Sequence, residues 1–271
     1  MDKNRASKAL RIASILCAVT AAIIEVVSVL VYYDGTSNYF KSQSLLPTIA
    51  VILALLGTAI GIVSAITINR EFQVATIFSD KNSPSPATIG FLTASIFTMI
   101  YCSRTIQPAI GVLSAILLLC GAIYCILTSI PALRAKKNLA VLFGILAILG
   151  TILLNAYYYF DVSLEMNAPF KLTTQMGLLC ATVYLTGEIR FLLGTQKPKF
   201  FLGLCTMLVS IGSLCSLSLL VAFFLDKTDR GDYVTGALLV FCMILSALLR
   251  MRNLLAPTVP DNTEETAEVE E

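Results

Sequence analysis

Apolar residues gather in eight segments along the chain, at residues 10–32, 46–68, 87–102, 108–133, 139–159, 174–193, 200–225 and 233–249. None of them alternates apolar with polar positions in the period-two manner of a half-buried strand. A helix needs roughly 20 mostly apolar residues to cross about 30 Å of hydrocarbon, and it satisfies every backbone polar group within its own segment. The pattern therefore predicts an all-α integral membrane protein, a bundle of about eight transmembrane helices occupying residues 1–256. The third segment is the shortest and carries Thr88, Thr93 and Thr98. Pro108 stands where a helix can begin, because a first-turn N–H has no intrahelical partner.

The polar connections set the orientation. On one side of the eight-span layout lie 14 of the 19 lysines and arginines, among them Lys3, Arg5, Lys8, Arg11, Arg134, Lys136, Lys137, Arg250 and Arg252. The other side holds Lys41, Arg104, Lys171, Lys227 and Arg230. Basic residues accumulate in cytoplasmic loops, so both termini are expected in the cytoplasm, with the chain in the cell membrane. Tyr32, Tyr33, Tyr39, Tyr101, Tyr157, Tyr158, Tyr159 and Tyr233 fall at the opposite ends of the spans. In a chain without tryptophan, they are expected to form the aromatic belt of the outer interface.

Lys3, Arg5, Lys8 and Arg11 precede an apolar run that continues to Tyr32, longer than a signal-peptide core, and the reading is an uncleaved first helix. Residues 257–271 include Asp261, Glu264, Glu265, Glu268, Glu270 and Glu271 with little that is apolar. Such a segment buries too little surface to offset its ordering entropy and is expected to be a disordered acidic cytoplasmic tail. A tail of this kind docks a basic protein partner or is simply a solvated end.

Residues 1–135 and 136–256 each hold four segments. Tyr32-Tyr33-Asp34 resembles Tyr159-Phe160-Asp161, and Leu133-Arg134-Ala135-Lys136 resembles Leu249-Arg250-Met251-Arg252. Two parallel four-helix repeat units would produce this, related by an axis along the membrane normal. So would the recurrence of aromatic outer ends and basic inner ends in any multi-span protein.

Composition narrows the function. Only 13% of residues are charged against 57% hydrophobic, where a soluble domain has about 25% charged; lipid must cover the remainder. A net charge of +2 supplies no concentrated basic face for nucleic acid. Of the eight cysteines, all but Cys102 fall inside apolar runs, and no CxxC or histidine completes a zinc set. No metal site and no cofactor are expected. The lack of histidine also removes the commonest acid–base residue, and neither a phosphate-binding GxxxxGK[ST] loop nor a GxSxG elbow is present. An enzyme is the weakest class.

Glu25 is the leading candidate for chemistry. It lies about 6 Å outward of the midpoint of the first segment at 1.5 Å per residue, and an ionisable group at that depth is costly and points to function. Ala18, Ala21, Ala22, Glu25 and Ser28 share one helical face, whereas Ile12, Leu16, Val19, Ile23, Val27 and Leu30 occupy much of the rest. The small face is expected to meet other helices and carry the carboxyl into the bundle. Binding a proton or cation is one role for it; a hydrogen-bonded structural carboxyl is the other. Asn155 ends a similar stripe of Ala140, Gly144, Ala147 and Thr151, and reads as interhelical glue or a polar ligand. Glu188 shares a face with Tyr184, Ala181 and Gly177, and reads as an inner vestibule charge or as half of a charge pair. Gly57 and Gly61 form a GxxxG that lets two helix backbones approach, within one chain or between chains.

These features support a small-solute or ion transporter of the permease type. The alternative is a non-transporting membrane subunit or scaffold that assembles with partner proteins through its cytoplasmic face or acidic tail.

Overall fold

A computed structural model describes residues 3–35, 37–41, 44–68, 72, 78, 85–102, 108–130, 133, 136–195, 197–228 and 230–255. The acidic tail, the proposed repeat boundary at Ala135 and most of the loop between the second and third segments lie outside the described residues. The helices are α1 (Lys3–Tyr32), α2 (Leu46–Thr67), α3 (Pro86–Cys102), α4 (Pro108–Ser129), α5 (Lys137–Tyr159), α6 (Pro169–Leu192), α7 (Pro198–Phe224) and α8 (Gly231–Leu254). A two-residue antiparallel pair, β1 (Tyr33–Asp34) and β2 (Tyr39–Phe40), follows α1, with Tyr33 opposite Phe40.

Local chemistry places the helix ends. Proline opens α3, α4, α6 and α7 and sits in the first turn of α2, where its fixed φ suits the helix and its missing N–H costs nothing. Helix α6 closes with Gly194 at φ 79°, while Gly194 N–H donates to Phe191 O and Thr195 N–H to Arg190 O. That left-handed terminator satisfies carbonyls the helix leaves open. Asp226, at φ 52°, ends α7 in the same pattern, with Lys227 N–H donating to Ala222 O.

Among the described residues, six helices are long and apolar enough to cross a membrane: α2, α4, α5, α7, α8 and the Ser7–Tyr32 part of α1. The other two differ for separate reasons. Helix α3 has 17 residues, about 25 Å at 1.5 Å per residue. Helix α6 has 24 residues but includes Lys171, Glu188 and Arg190, which lower its apolarity.

Helices α3, α4, α5, α6 and α8 pack in succession around a ring that closes where α8 meets α3. Helix α7 lies in the angle between α6 and α8, and the α1–α2 hairpin leans on its far side. Helix α6 packs on its successor α7, whereas α2, its counterpart in a repeat, has α1 and α7 rather than α3 as its main neighbours.

The main core runs through the ring, and a smaller one of Ala21, Ala50, Ala54, Leu214 and Cys215 joins α1, α2 and α7. Small residues make the second junction close. Ser14 Oγ donates to Gly57 O at 2.7 Å, and Ser7 and Ser64 exchange hydroxyl-to-carbonyl bonds at 3.2 and 3.0 Å. A Cβ at Gly57 would stand 3.1 Å from Cys17 Cβ, and one at Gly61 would stand 2.9 Å from Thr206 Cβ. The GxxxG therefore serves contacts within the chain, to α1 and α7. Apolar side chains such as Leu16, Ile23, Ile52 and Leu55 remain exposed on the outside of the hairpin, as lipid-facing positions do.

Tyrosines depart from the expected belt. Tyr159 is exposed, but Tyr33, Tyr157, Tyr158 and Tyr233 are buried. Two of these hydroxyls find partners on the inward side: Tyr158 donates to Asp232 O at 2.7 Å, and Tyr233 to Asp161 Oδ2 at 2.8 Å. The two rings stack with centroids 4.7 Å apart.

Candidate functional site

Helix α1 buries the face that carries its small residues: Ala18, Ala21, Ala22, Glu25 and Ser28 are all buried, and Ile12, Leu16, Val19, Ile23 and Val27 are exposed. Glu25 retains 4% of its exposure. Its carboxyl does not enter the central ring. It lines a cavity of about 360 Å³ between the α1–α2 hairpin and helices α6 and α7. Glu25 Oε2 is buried and has no hydrogen-bond partner among the described residues. A buried polar atom in that condition carries a desolvation cost of about 1–3 kcal/mol, more if charged.

The walls of the cavity are almost wholly apolar, with Val51, Leu172, Met176, Ile211 and Leu214 prominent; Asn167 and Thr173 are the other polar residues lining it. Among the described residues no lysine or arginine contributes to it. Phe40 of β2, with Asn167 and Pro169 beside the start of α6, lines the part of it toward the β1–β2 connection. That part is tied in place by Tyr39, whose hydroxyl donates to Glu165 Oε2 at 2.7 Å and also bonds Asn167 Oδ1. Tyr33 packs its ring 4.4 Å from that of Phe170.

The neighbouring α5–α6 connection is ordered around Asp161. Its carboxylate accepts from Ser163 N–H at 2.9 Å, Ser163 Oγ at 2.8 Å and Tyr233 Oη at 2.8 Å. Burial opposes ionisation, but the Ser163 hydroxyl and N–H, the Tyr233 hydroxyl and nearby Lys171 outweigh it and hold the carboxyl below its ordinary range. Lys171 is itself buried and donates to Asp161 O at 2.5 Å and Leu164 O at 3.3 Å. Arg230 reaches across from the start of α8 to Ser163 Oγ at 3.0 Å. All these groups find partners within the protein, so the cluster reads as a clasp over the bundle end.

Glu188 is far from Glu25 in role as well as in place. Its Oε1 accepts from Arg250 Nε of α8 at 3.0 Å, and both side chains are buried. The Arg250 guanidinium also stacks over Phe78, 4.7 Å from the ring centroid. This is the charge-pair alternative for Glu188, with α8 rather than a loop supplying the partner. The intervening 62 positions hide the pairing from sequence reasoning. One signal was available: Arg250 follows Ser246 and Ala247 by one turn on the buried face of α8.

Asn155 is half-buried on α5 and, with Gln175 of α6, lines a separate recess of about 480 Å³. Neither Asn155 Oδ1 nor Gln175 Nε2 has a hydrogen-bond partner among the described residues, so the amide is not bonded as interhelical glue. Glu25, Asn155 and Glu188 thus occupy three different places and form no joint site. Gln175 was not legible as a candidate, because a lone glutamine near a helix start resembles any interfacial polar residue.

The serines of α7 turn onto their own helix: Ser213 donates to Ser210 O, Ser216 to Gly212 O and Ser218 to Leu214 O. All eight cysteines are free, and among the described residues no three potential ligands cluster to hold a metal. Compared with protein-family models, with curated proteins and with solved structures, the chain matches none.

Proposed function

We propose that the chain is a permease-like transporter of a small solute, with the Glu25 cavity as its binding site. The single observation that carries this reading is the buried, unpartnered carboxylate oxygen at the wall of a ligand-sized space. A structural carboxyl would spend its acceptors on neighbouring donors. A binding carboxyl keeps one available, and the ligand completes it. The cavity also lies between the hairpin and the rest of the bundle, where a relative shift of two packed units would open or close it.

The layout that goes with this function is eight spans with both termini in the cytoplasm. In α3 and α6 the residues Thr88, Thr98, Lys171, Thr174 and Glu188 are buried against other helices, so they do not face lipid. An even number of crossings also keeps the basic majority on one side. A reporter fused after Glu271 or within residues 134–138 is expected to register cytoplasm, and one near Asn38 or Asp229 the outside. Termini on opposite sides would overturn the layout.

Function is tested on purified protein by thermal unfolding with and without a panel of small solutes. A ligand present at 100 times its Kd stabilises the native state by about 2.7 kcal/mol. Glu25→Gln and Glu25→Leu are both expected to fold at least as stably as the parent, since each removes a potential buried charge, and both are expected to lose the ligand-induced rise. If Glu25→Leu instead unfolds the bundle while Glu25→Gln keeps the ligand response, the carboxyl is glue and the binding role fails. A panel without a hit, combined with a protein that co-purifies, would favour the subunit reading.

A further inference from the structure

We infer that the Glu25 cavity takes a lipophilic amine, a protonated nitrogen on an apolar body drawn from the bilayer. The inference rests on the reading of this cavity as a ligand site and adds the chemical class. Charge comes first. Among the described residues Glu25 is the one carboxyl lining the space, and no lysine or arginine lines it alongside. Burying a carboxylate without a partner is strongly unfavourable, and a countercharge with a hydrogen bond removes most of that penalty. An ammonium N–H donating to Glu25 Oε2 supplies both. An anionic ligand would add repulsion, and a fully hydrated inorganic cation would meet apolar walls where it needs several oxygen ligands.

Shape agrees with charge. About 360 Å³ falls at the lower end of the small-molecule range of roughly 300–1,000 Å³, and the walls suit an aliphatic or aryl body. The way in also points to an amphiphile. Val51, Leu55, Leu172 and Met176 line the cavity and are 46%, 55%, 45% and 49% exposed, on helix faces turned outward from the bundle. Toward the β1–β2 connection the lining residues are Phe40 and Pro169, both apolar. Glu25 lies seven residues before the end of α1, about 10 Å along the axis, within reach of an amine anchored near the headgroups.

The test uses the full chain in lipid nanodiscs with two photoreactive probes of equal length, a dimethylalkylamine and the matching primary alcohol, each carrying a diazirine on the alkyl chain. The amine is expected to label α1, α2 and α6 around the cavity, to be competed by unlabelled dimethyldecylamine, and to bind at least tenfold tighter than the alcohol. Glu25→Gln is expected to abolish that preference, and Glu25→Asp to retain it. Labelling of the parent needs no variant to fold, so the inference can fail on the parent alone. Equal labelling of the cavity by amine and alcohol, insensitive to Glu25→Gln, would overturn the amine class while leaving the cavity as a ligand site. Labelling scattered over the lipid-facing surface by both probes would overturn the site itself.

Discussion

Arg250→Ala is expected to destabilise the bundle by about 3–5 kcal/mol, because it leaves the Glu188 carboxylate buried without its countercharge. Glu188 and Arg250 lie in the bundle interior with 7% and 2% of their side-chain surface accessible, so water cannot take over the missing partner. The pair itself is a poor stabiliser, since both charges lost hydration to form it. The double variant Glu188→Leu with Arg250→Leu is therefore expected to be more stable than either Glu188→Leu or Arg250→Leu alone. Thermal unfolding of the parent and these variants completes a double-mutant cycle. Singles that stay within 1 kcal/mol of the parent, or effects that simply add, would show that the 3.0 Å contact is not a coupled pair.

Gly150→Leu is expected to be comparably damaging, by separating α4 from α5. A Cβ at Gly150 would stand 2.9 Å from both the Leu117 carbonyl carbon and the Leu118 nitrogen. Those are backbone atoms of a packed helix, which cannot move aside as a flexible side-chain tip can. Ser114 Oγ donates to Gly150 O at 3.1 Å across the same contact and would be pulled away with it. Gly150→Ala alone is expected to cost about 1–3 kcal/mol, the usual range for overpacking, and leucine more. Gly203 provides the control, because a Cβ there meets only Ile62 Cγ1 at 3.7 Å, an ordinary contact. Gly203→Ala is expected to be nearly silent in the same unfolding assay. Equal responses at the two positions would mean that backbone proximity does not govern this interface.

How far the sequence anticipates these features depends on which kind of information each one needs. The buried face of α1 needs only helical periodicity, and the alternation of alanine and bulky aliphatic residues states it directly. The helix start at Pro108 is equally local, whereas α6 begins at Pro169, ahead of the apolar run that opens at Thr174, because a proline and not apolarity sets that end. The partner of Gly57 is set by the placement of α1, because a GxxxG specifies close approach and not what approaches. Glu188 was ambiguous for the same reason: Arg250 reads as one more basic residue at an inner helix end until two helices are placed side by side. The tyrosines misled because position along a helix fixes height and leaves the facing direction open. The Glu25 cavity could not be read at all. It is a gap among four helices, and a gap has no residues of its own.

The dependence of the α1–α2 hairpin on α7 carries a consequence for how the protein is made. The first two helices leave the ribosome together, but their main tertiary support begins at Pro198, about 130 residues after Thr67. At about 5–20 residues per second, synthesis leaves the hairpin without that support for roughly 7–26 s. During that interval the part of the Ala18–Ser28 face that packs on α7 lacks that neighbour and keeps only its contacts with α2. Chains truncated before Pro198 should therefore be the forms most subject to membrane quality control, and chains extended past Phe224 should escape it.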